Sequence, residues 1–319
     1  MANEKKPHYF HAEAHALKGR LELPFDQDIK PQSFVKLEKL ETEEEKSDYL
    51  SQHSKNYRLE GIISFAAAHT QVSGHKSKKH EGARVTLATS VVEDLNVLNV
   101  VTADRVVGQI STTHFPNVKA PAVTFLGTHF ENLRIARHKA EPFLNLGTVG
   151  EKPDGNDSMY VAKGTGFMAA VEAQYKRLKA RVGALGAEKP ADSLAEKYHG
   201  FADLNYSDIN ERARAAQADA KGRTNWDGIT CSLVENVEIK DISVKDADGK
   251  SVVIPPPAKS TGHVIHIPDF GTIFLAELTV NHNSFHLTMI RLELGCLADG
   301  KVLISTCDVN GGRKPPLVP

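Results

Sequence analysis

"NHNSFHLTMIRLELG", residues 281–295, sets two histidines inside a run of apolar residues. On a helix His282 and His286 would share a face at metal-binding distance. On a strand they also share a face, but about 14 Å apart, too far for two ligands of one ion. The local sequence favours a strand carrying His286 and a turn over "NHNS". That reading makes this end of the chain β-structure and leaves His282 free to point elsewhere.

The same pattern extends outward. "GHVIHIP", "GTIFLAELTV" and "KVLIST" read as strands around it, and "KDADGK" (245–250) as a hairpin turn joining "VENVEIKDISV" to "SVVIP". Asp299-Gly300 suits a two-residue type I′ turn. That turn would set Cys296 opposite Leu303 and Cys307 opposite Leu292, about 14 Å apart along the strand and beyond disulfide reach. Cys231, Cys296 and Cys307 are therefore expected as free, buried thiols.

Upstream, residues 57–136 are rich in Val, Ile, Thr and Phe, broken by Gly, Pro and Asn, the mark of consecutive strands. Two stretches repeat without gaps: "VTLATSVVEDLNVLN" (85–99) on "VTFLGTHFENLRIAR" (123–137). Val85 matches Val123, Glu93 matches Glu131, Leu95 matches Leu133, and Asp94 is replaced by Asn132. One β-unit used twice, side by side, accounts for the match. Residues 1–56 read as a polar leader with one strand, "LKGRLELPF" (17–25), and an acidic run at 38–49. Phe167, Val171, Tyr175, Leu178 and Val182 form an apolar helical stripe that Gly183 should stop. A second helical stretch, 207–222, opens at Ser207. The expected architecture is mainly β: an antiparallel β-sandwich-like domain over 57–319, interrupted by a helical insertion at about 160–225.

A formal net charge of −1 offers no basic excess for a phosphate backbone, so no nucleic-acid partner is expected. The cluster "HKSKKH" (75–80) reads as a solvated turn. No segment approaches the roughly 18 apolar residues of a membrane span. The opening "MANEKKPHYFHAEAH" lacks the apolar stretch of a Sec signal, which points to a cytoplasmic protein, with export by another route left open.

Fifteen histidines put a metal site among the readings. The candidate ligands are His263, His266, His282 and His286, for a divalent metal in a hydrolase-like enzyme. His263 and His266, three apart in an extended segment, point to opposite faces. "GHVIHIPDFGTIF" lacks the H-x-H pair of the cupins. No G-x-S-x-G elbow or P-loop is present, and "AKGTGF" (162–167) reads as a loop opening a helix. Glu93, Asp104, Glu131 and Glu277 lie in strand segments without forming a recognisable catalytic pair. A membrane-active β-protein is disfavoured because Asp104 and Arg105 must face opposite sides of their strand.

At "SVVEDLNVLNVVTADRVVGQIST" (90–112), "FLGTHFENLRIA" (125–136) and "IPDFGTIFLAEL" (267–278), the chain resembles the bacterial β-proteins called choice-of-anchor P. The likeness covers about a third of the chain in short apolar phrases. It implies a β-rich surface or binding protein of bacterial origin and supplies no catalytic residues. The sequence thus favours a non-catalytic binding or structural β-protein with no required cofactor, binding a protein, a glycan or itself. A metal-dependent enzyme built on the four histidines is the alternative.

Overall fold

In the computed structural model, which describes residues 7–41, 47–116, 118, 120–153, 160–161, 165–184, 229–245, 248–260, 262–281, 284–295 and 298–310, the described residues form twenty strands and one helix. The N-terminal strands are β1 (Tyr9–Leu23), β2 (Gln27–Gln32), β3 (Val35–Leu40), β4 (Ser47–Leu59) and β5 (Ile63–Lys76). Then come β6 (Arg84–Val97), β7 (Val101–His114), β8 (Ala122–Thr124), β9 (His129–Glu131), β10 (Arg134–Ile135) and β11 (His138–Leu144). Helix α1 (Gly166–Ala184) follows, then β12 (Ile229–Ser232), β13 (Val234–Ile239), β14 (Ile242–Lys245) and β15 (Ser251–Ile254). The chain closes with β16 (Lys259–Ser260), β17 (Val264–Ile267), β18 (Gly271–Val280), β19 (Ser284–Leu294) and β20 (Asp299–Asn310).

All pairings are antiparallel and make two nine-stranded open sheets. Sheet A runs β16-β17-β18-β19-β20-β1-β2, with β12 beside β18 and β3 beside β1. Sheet B runs β13-β11-β10-β7-β6-β5-β4, with β8 and β9 beside β7. The expected mainly-β, sandwich-like architecture is what forms; of the stretch expected to form one hairpin arm, only β14 pairs with β15, apart from both large sheets, while β13 joins β11. Helix α1 buries Phe167, Val171 and Leu178 of the predicted stripe and ends one residue beyond Gly183. Thr165 caps it, its hydroxyl accepting the Met168 amide at 3.3 Å. The predicted helix at 207–222, Cys296 and the rest of the insertion lie outside the described residues.

The N-terminal reading needs correction. Residues 9–59 form β1 to β4 rather than a leader with one strand, and β1 lies deep in sheet A between β20 and β2. The missed signal is "HAEAHAL" (11–17), a strict polar/apolar alternation whose alanines are fully buried. Small side chains there hide a core strand from any search for large apolar residues. The C-terminal hairpin is also displaced. Leu294 pairs with Gly300 and Leu287 with Cys307, so Asp299-Gly300 begins β20 instead of forming the turn. A Cβ at Gly300 would meet the Arg20 carbonyl at 2.3 Å, so this glycine serves close approach of β1. Cys231 and Cys307 are free and buried.

The sequence repeat falls on both sides of one strand. β6 pairs one edge of β7, and β8, β9 and β10 follow the other. Glu93 and Glu131 both lie opposite Arg105, and Val97 and Ile135 both lie opposite Val101. The aligned pair Asp94 and Asn132 shares a left-handed backbone, with φ of 52° and 49°. These belong to a row of in-register bulges: pairing skips Asn56, Ala66, Asp94 and Asp104 in neighbouring strands, then resumes unchanged. Sheet A carries a matching row at Ala16, Ser305, Met289 and Ala276. Beyond each row the in–out alternation reverses. In β20, Val302 and Ile304 are buried on one side of Ser305, and Cys307 and Val309 on the other.

The sheets meet across that row. Facing strands β1 and β6, and β20 and β7, bring Cα atoms within 8 Å, closer than the usual spacing of about 10 Å. Ala12, Ala14, Ala88, Ser90 and Gly108, all on inner faces, leave room for it. Ser305, held at φ 53°, turns its hydroxyl across the gap. Its Oγ accepts the Gly108 amide at 3.0 Å and donates to the Ser90 carbonyl at 2.9 Å. Ser90 Oγ in turn donates to the His15 carbonyl at 3.0 Å, and Cys307 Sγ to the Gly108 carbonyl at 3.2 Å. Removing the Ser305 hydroxyl strips a buried amide of its partner. Ser305→Ala should lower unfolding free energy by about 1–3 kcal/mol in urea titrations, with m unchanged. Gly108→Ala, whose Cβ would meet Met289 Cγ at 2.9 Å, should also destabilise.

Candidate functional site

The structure separates the histidines that the sequence grouped. His266 pairs with Thr272 near the start of β18, and its Nδ1 lies 3.2 Å from the Thr272 hydroxyl. His286 pairs with Thr279 near the opposite end of β18. Seven residues of extended strand place the two about 24 Å apart, so they form no common ligand set. The His263 carbonyl accepts the Leu275 amide at 3.0 Å. His282 lies outside the described residues. Among the described residues, no three His, Cys, Asp or Glu side chains are grouped to hold a metal ion.

His286 belongs instead to a cluster on the outer face of sheet A. Asp308 of β20 stands opposite both His286 of β19 and Glu13 of β1. Its Oδ2 lies 3.3 Å from His286 Nδ1, and its Oδ1 lies 3.5 Å from His11 Nε2. His11 Nδ1 reaches Glu38 Oε1 of β3 at 3.4 Å. One carboxylate is thus shared by two imidazoles on four neighbouring strands. Burial favours a neutral Asp308, but hydrogen bonds from His11 and His286 outweigh it and hold the carboxyl below its usual range. Burial likewise opposes the charge on His11, and the Asp308 carboxylate overcomes it, raising the imidazole. His15, two residues from Glu13 on the same face, has no such partner. It is only 4% exposed, its Nε2 makes no hydrogen bond, and burial with the nearby His286 pushes it down to about 4.

Thr288 completes a line that resembles a nucleophile, base and acid: its Oγ1 lies 3.2 Å from His286 Nε2, with Asp308 behind. The chemistry does not follow from that order. Thr288 is 4% exposed, and its hydroxyl also faces Thr306 Oγ1 at 3.4 Å. The residue is paired on both sides, to Glu277 and to Thr306, so its surroundings are ladder rather than an oxyanion cradle. The network orients polar groups on a sheet surface.

Three of the four carboxylates singled out in the sequence are likewise occupied. Glu93 pairs with Arg105 at 3.0 Å, Asp104 accepts the Asn132 amide at 2.6 Å, and Glu277 takes Arg291 in two contacts of 2.5 and 2.8 Å. Arg291 also stacks over the Phe274 ring at 3.5 Å, where Leu178 of α1 packs against Phe274 and Val264. A cleft of about 210 Å³ between α1 and β12 is smaller than common ligand pockets of about 300–1,000 Å³. The Gln174 amide that lines it is engaged with the Ser232 amide at 2.8 Å and carbonyl at 3.1 Å.

The outer face of sheet B differs in kind. Val91 and Val107 lie opposite each other at its centre, with Leu87 farther along β6. Gln71, Ser73, Gln109 and Ser111 surround them, and His53 stacks on His69 at 4.3 Å and 7°. An apolar centre inside a polar rim is the composition of a contact surface.

The profile of a family described as "Domain of unknown function (DUF8256)" matches residues 8–281. The chain belongs to that family. Neither a curated protein nor a solved structure matches the chain. The comparisons do not show the likeness to the choice-of-anchor P proteins. Within DUF8256 the match takes in His11, His15 and the bulge row of sheet B, and it ends before β19 and β20, which bring His286 and Asp308.

Sequence reasoning missed His11 and His15 as site residues because β1 went unread, the signal being the alternation in "HAEAHAL", and missed Asp308 because the register of β20 was misplaced. The depressed His15 has a direct consequence. Unfolded, its imidazole takes a proton near pH 6.5; folded, it stays neutral until about pH 4. The unfolded chain therefore binds the extra proton between those values, and stability present above about pH 6.5 is lost as pH falls to 4. The loss is on the order of 3 kcal/mol. His11, being raised, contributes in the opposite direction, its stabilisation fading as pH rises through its folded value. Urea titrations across pH 4–7 should show a flatter acid slope for His15→Gln than for the wild type; an unchanged slope would refute the assignment.

Proposed function

We propose that this protein is a non-catalytic β-sandwich that binds a protein partner through the outer face of sheet B. The observation that supports this reading is the partly exposed pair Leu87 and Val91 on that face, with the buried Val107 beside them, within a rim of amides, hydroxyls and imidazoles. β5, β6 and β7, each of 14 residues and paired along their length, carry the patch. An apolar centre held on paired strands, with polar groups around it, lowers the ordering cost of association. The face carries few rings apart from its histidines, which favours a protein over a glycan.

The His11–Asp308–His286 network supports the same reading from the other side. The Thr288 hydroxyl beside it is buried and its carboxylate is committed to two imidazoles, so it serves the stability of sheet A. A Leu87→Arg/Val91→Arg variant with unchanged circular dichroism should bind a captured and cross-link-identified partner at least about tenfold more weakly. His286→Ala should bind it as the wild type does. Undiminished binding by the double variant, or turnover of ester or phosphate substrates that His286→Ala abolishes, would count against the proposal.

A further inference from the structure

The edges of the two sheets are not equally protected. An edge strand presents unpaired amides and carbonyls, and folded proteins blunt such edges with charge, proline or brevity. β2 carries Asp28, Lys30 and Pro31, β13 carries Glu235 and Glu238, and β16 has two residues. β4 is the exception. Among the described residues it is the outermost strand of sheet B, 13 residues long, and pairs only with β5. Its centre, Tyr49 to Ser54, holds no Lys, Arg, Asp, Glu or Pro, and its bulge comes later, at Asn56.

Apolar groups gather along the same side. Tyr49 is 58% exposed and Leu50 44%. β3 of sheet A runs beside β4, tied by Ser33 Oγ to Ser54 Oγ at 2.7 Å and by Lys39 Nζ to Asp48 Oδ1 at 3.2 Å. Next to those ties stand Phe34, 38% exposed, and Leu40, 51% exposed. An unpaired strand is thus flanked by four large exposed side chains.

We infer that this side is an interface between two copies of the chain, formed by antiparallel pairing of β4 with β4 of the second copy. The charges select the direction. Asp48 sits at the start of the strand, and Lys55 and Arg58 sit towards its end. Antiparallel pairing brings the acidic end of each strand to the basic end of the other, and parallel pairing would bring like to like. A two-fold axis at Gln52 keeps matching faces opposed, with Tyr49 facing Lys55 of the second copy and Ser51 facing His53. Sheet B then continues from one copy into the next. The strand alone covers less than the roughly 800 Å² per partner of a standard interface, so the dimer forms in the micromolar range. This inference goes beyond the proposed binding face and does not depend on it.

Sedimentation velocity from about 1 to about 200 μM tests it. The wild type should shift from monomer to dimer across that range. Ser51 and His53 are solvent-exposed, so Ser51→Lys/His53→Lys leaves the fold intact while setting four ammonium groups together at the two-fold. That variant should stay monomeric throughout. In a Cys296→Ser background, Gln52→Cys should cross-link on mild oxidation, since residues directly opposite on paired strands lie near disulfide distance. Cys231 and Cys307 are buried and do not compete. A wild type that stays monomeric to the top of the range overturns the inference. So does a dimer that the double lysine variant leaves unchanged, which would place association on another surface, such as the exposed aliphatic face of the β14–β15 hairpin.

Discussion

The close approach of the two sheets at Ser305 and Gly108 constrains most of the molecule. A sandwich spaced by leucines and phenylalanines would stand about 10 Å apart and would need no polar link. Here alanine, glycine and serine line the inner faces near the row, and main-chain groups of one sheet come within reach of a hydroxyl from the other. Ser305 reaches them only because its backbone is left-handed, a conformation that costs on the order of 1–3 kcal/mol for a residue of this kind. The hydrogen bonds to Gly108 and Ser90 offset that strain.

The bulge rows also decide which side chains reach the surface. Counting back from buried Leu21 and Leu17, an unbroken alternation would drive His15, Glu13 and His11 into the core. The skip at Ala16 turns all three outward. The same skip in β19 and β20 turns out His286 and Asp308, and the five residues meet on one face. A fold feature that stabilises the sheet contact therefore also assembles the ionisable network. Sheet B uses the same device at Asp94 and Asn132, residues that tolerate the left-handed region better than most.

This coupling bears on function. Sheet A holds Asp308 between His11 and His286, and α1 packs against Phe274. Sheet B leaves one long edge, that of β4, unpaired among the described residues.

The sequence by itself determined the β class, the hairpin of β14 and β15, the stripe of α1 and the repeat that flanks β7. Each rests on periodicity or turn chemistry within a short window, where local sterics govern. It concealed β1, whose alanines carry the core in place of large residues, and it misplaced the last hairpin because Gly300 serves packing rather than a turn. Only the tertiary structure decided that His266 and His286 stand apart and that His11, Asp308 and His286 stand together. Those relations depend on register between strands distant in the chain and on a one-residue change of phase. No local pattern records either, because both arise from the contact between two sheets.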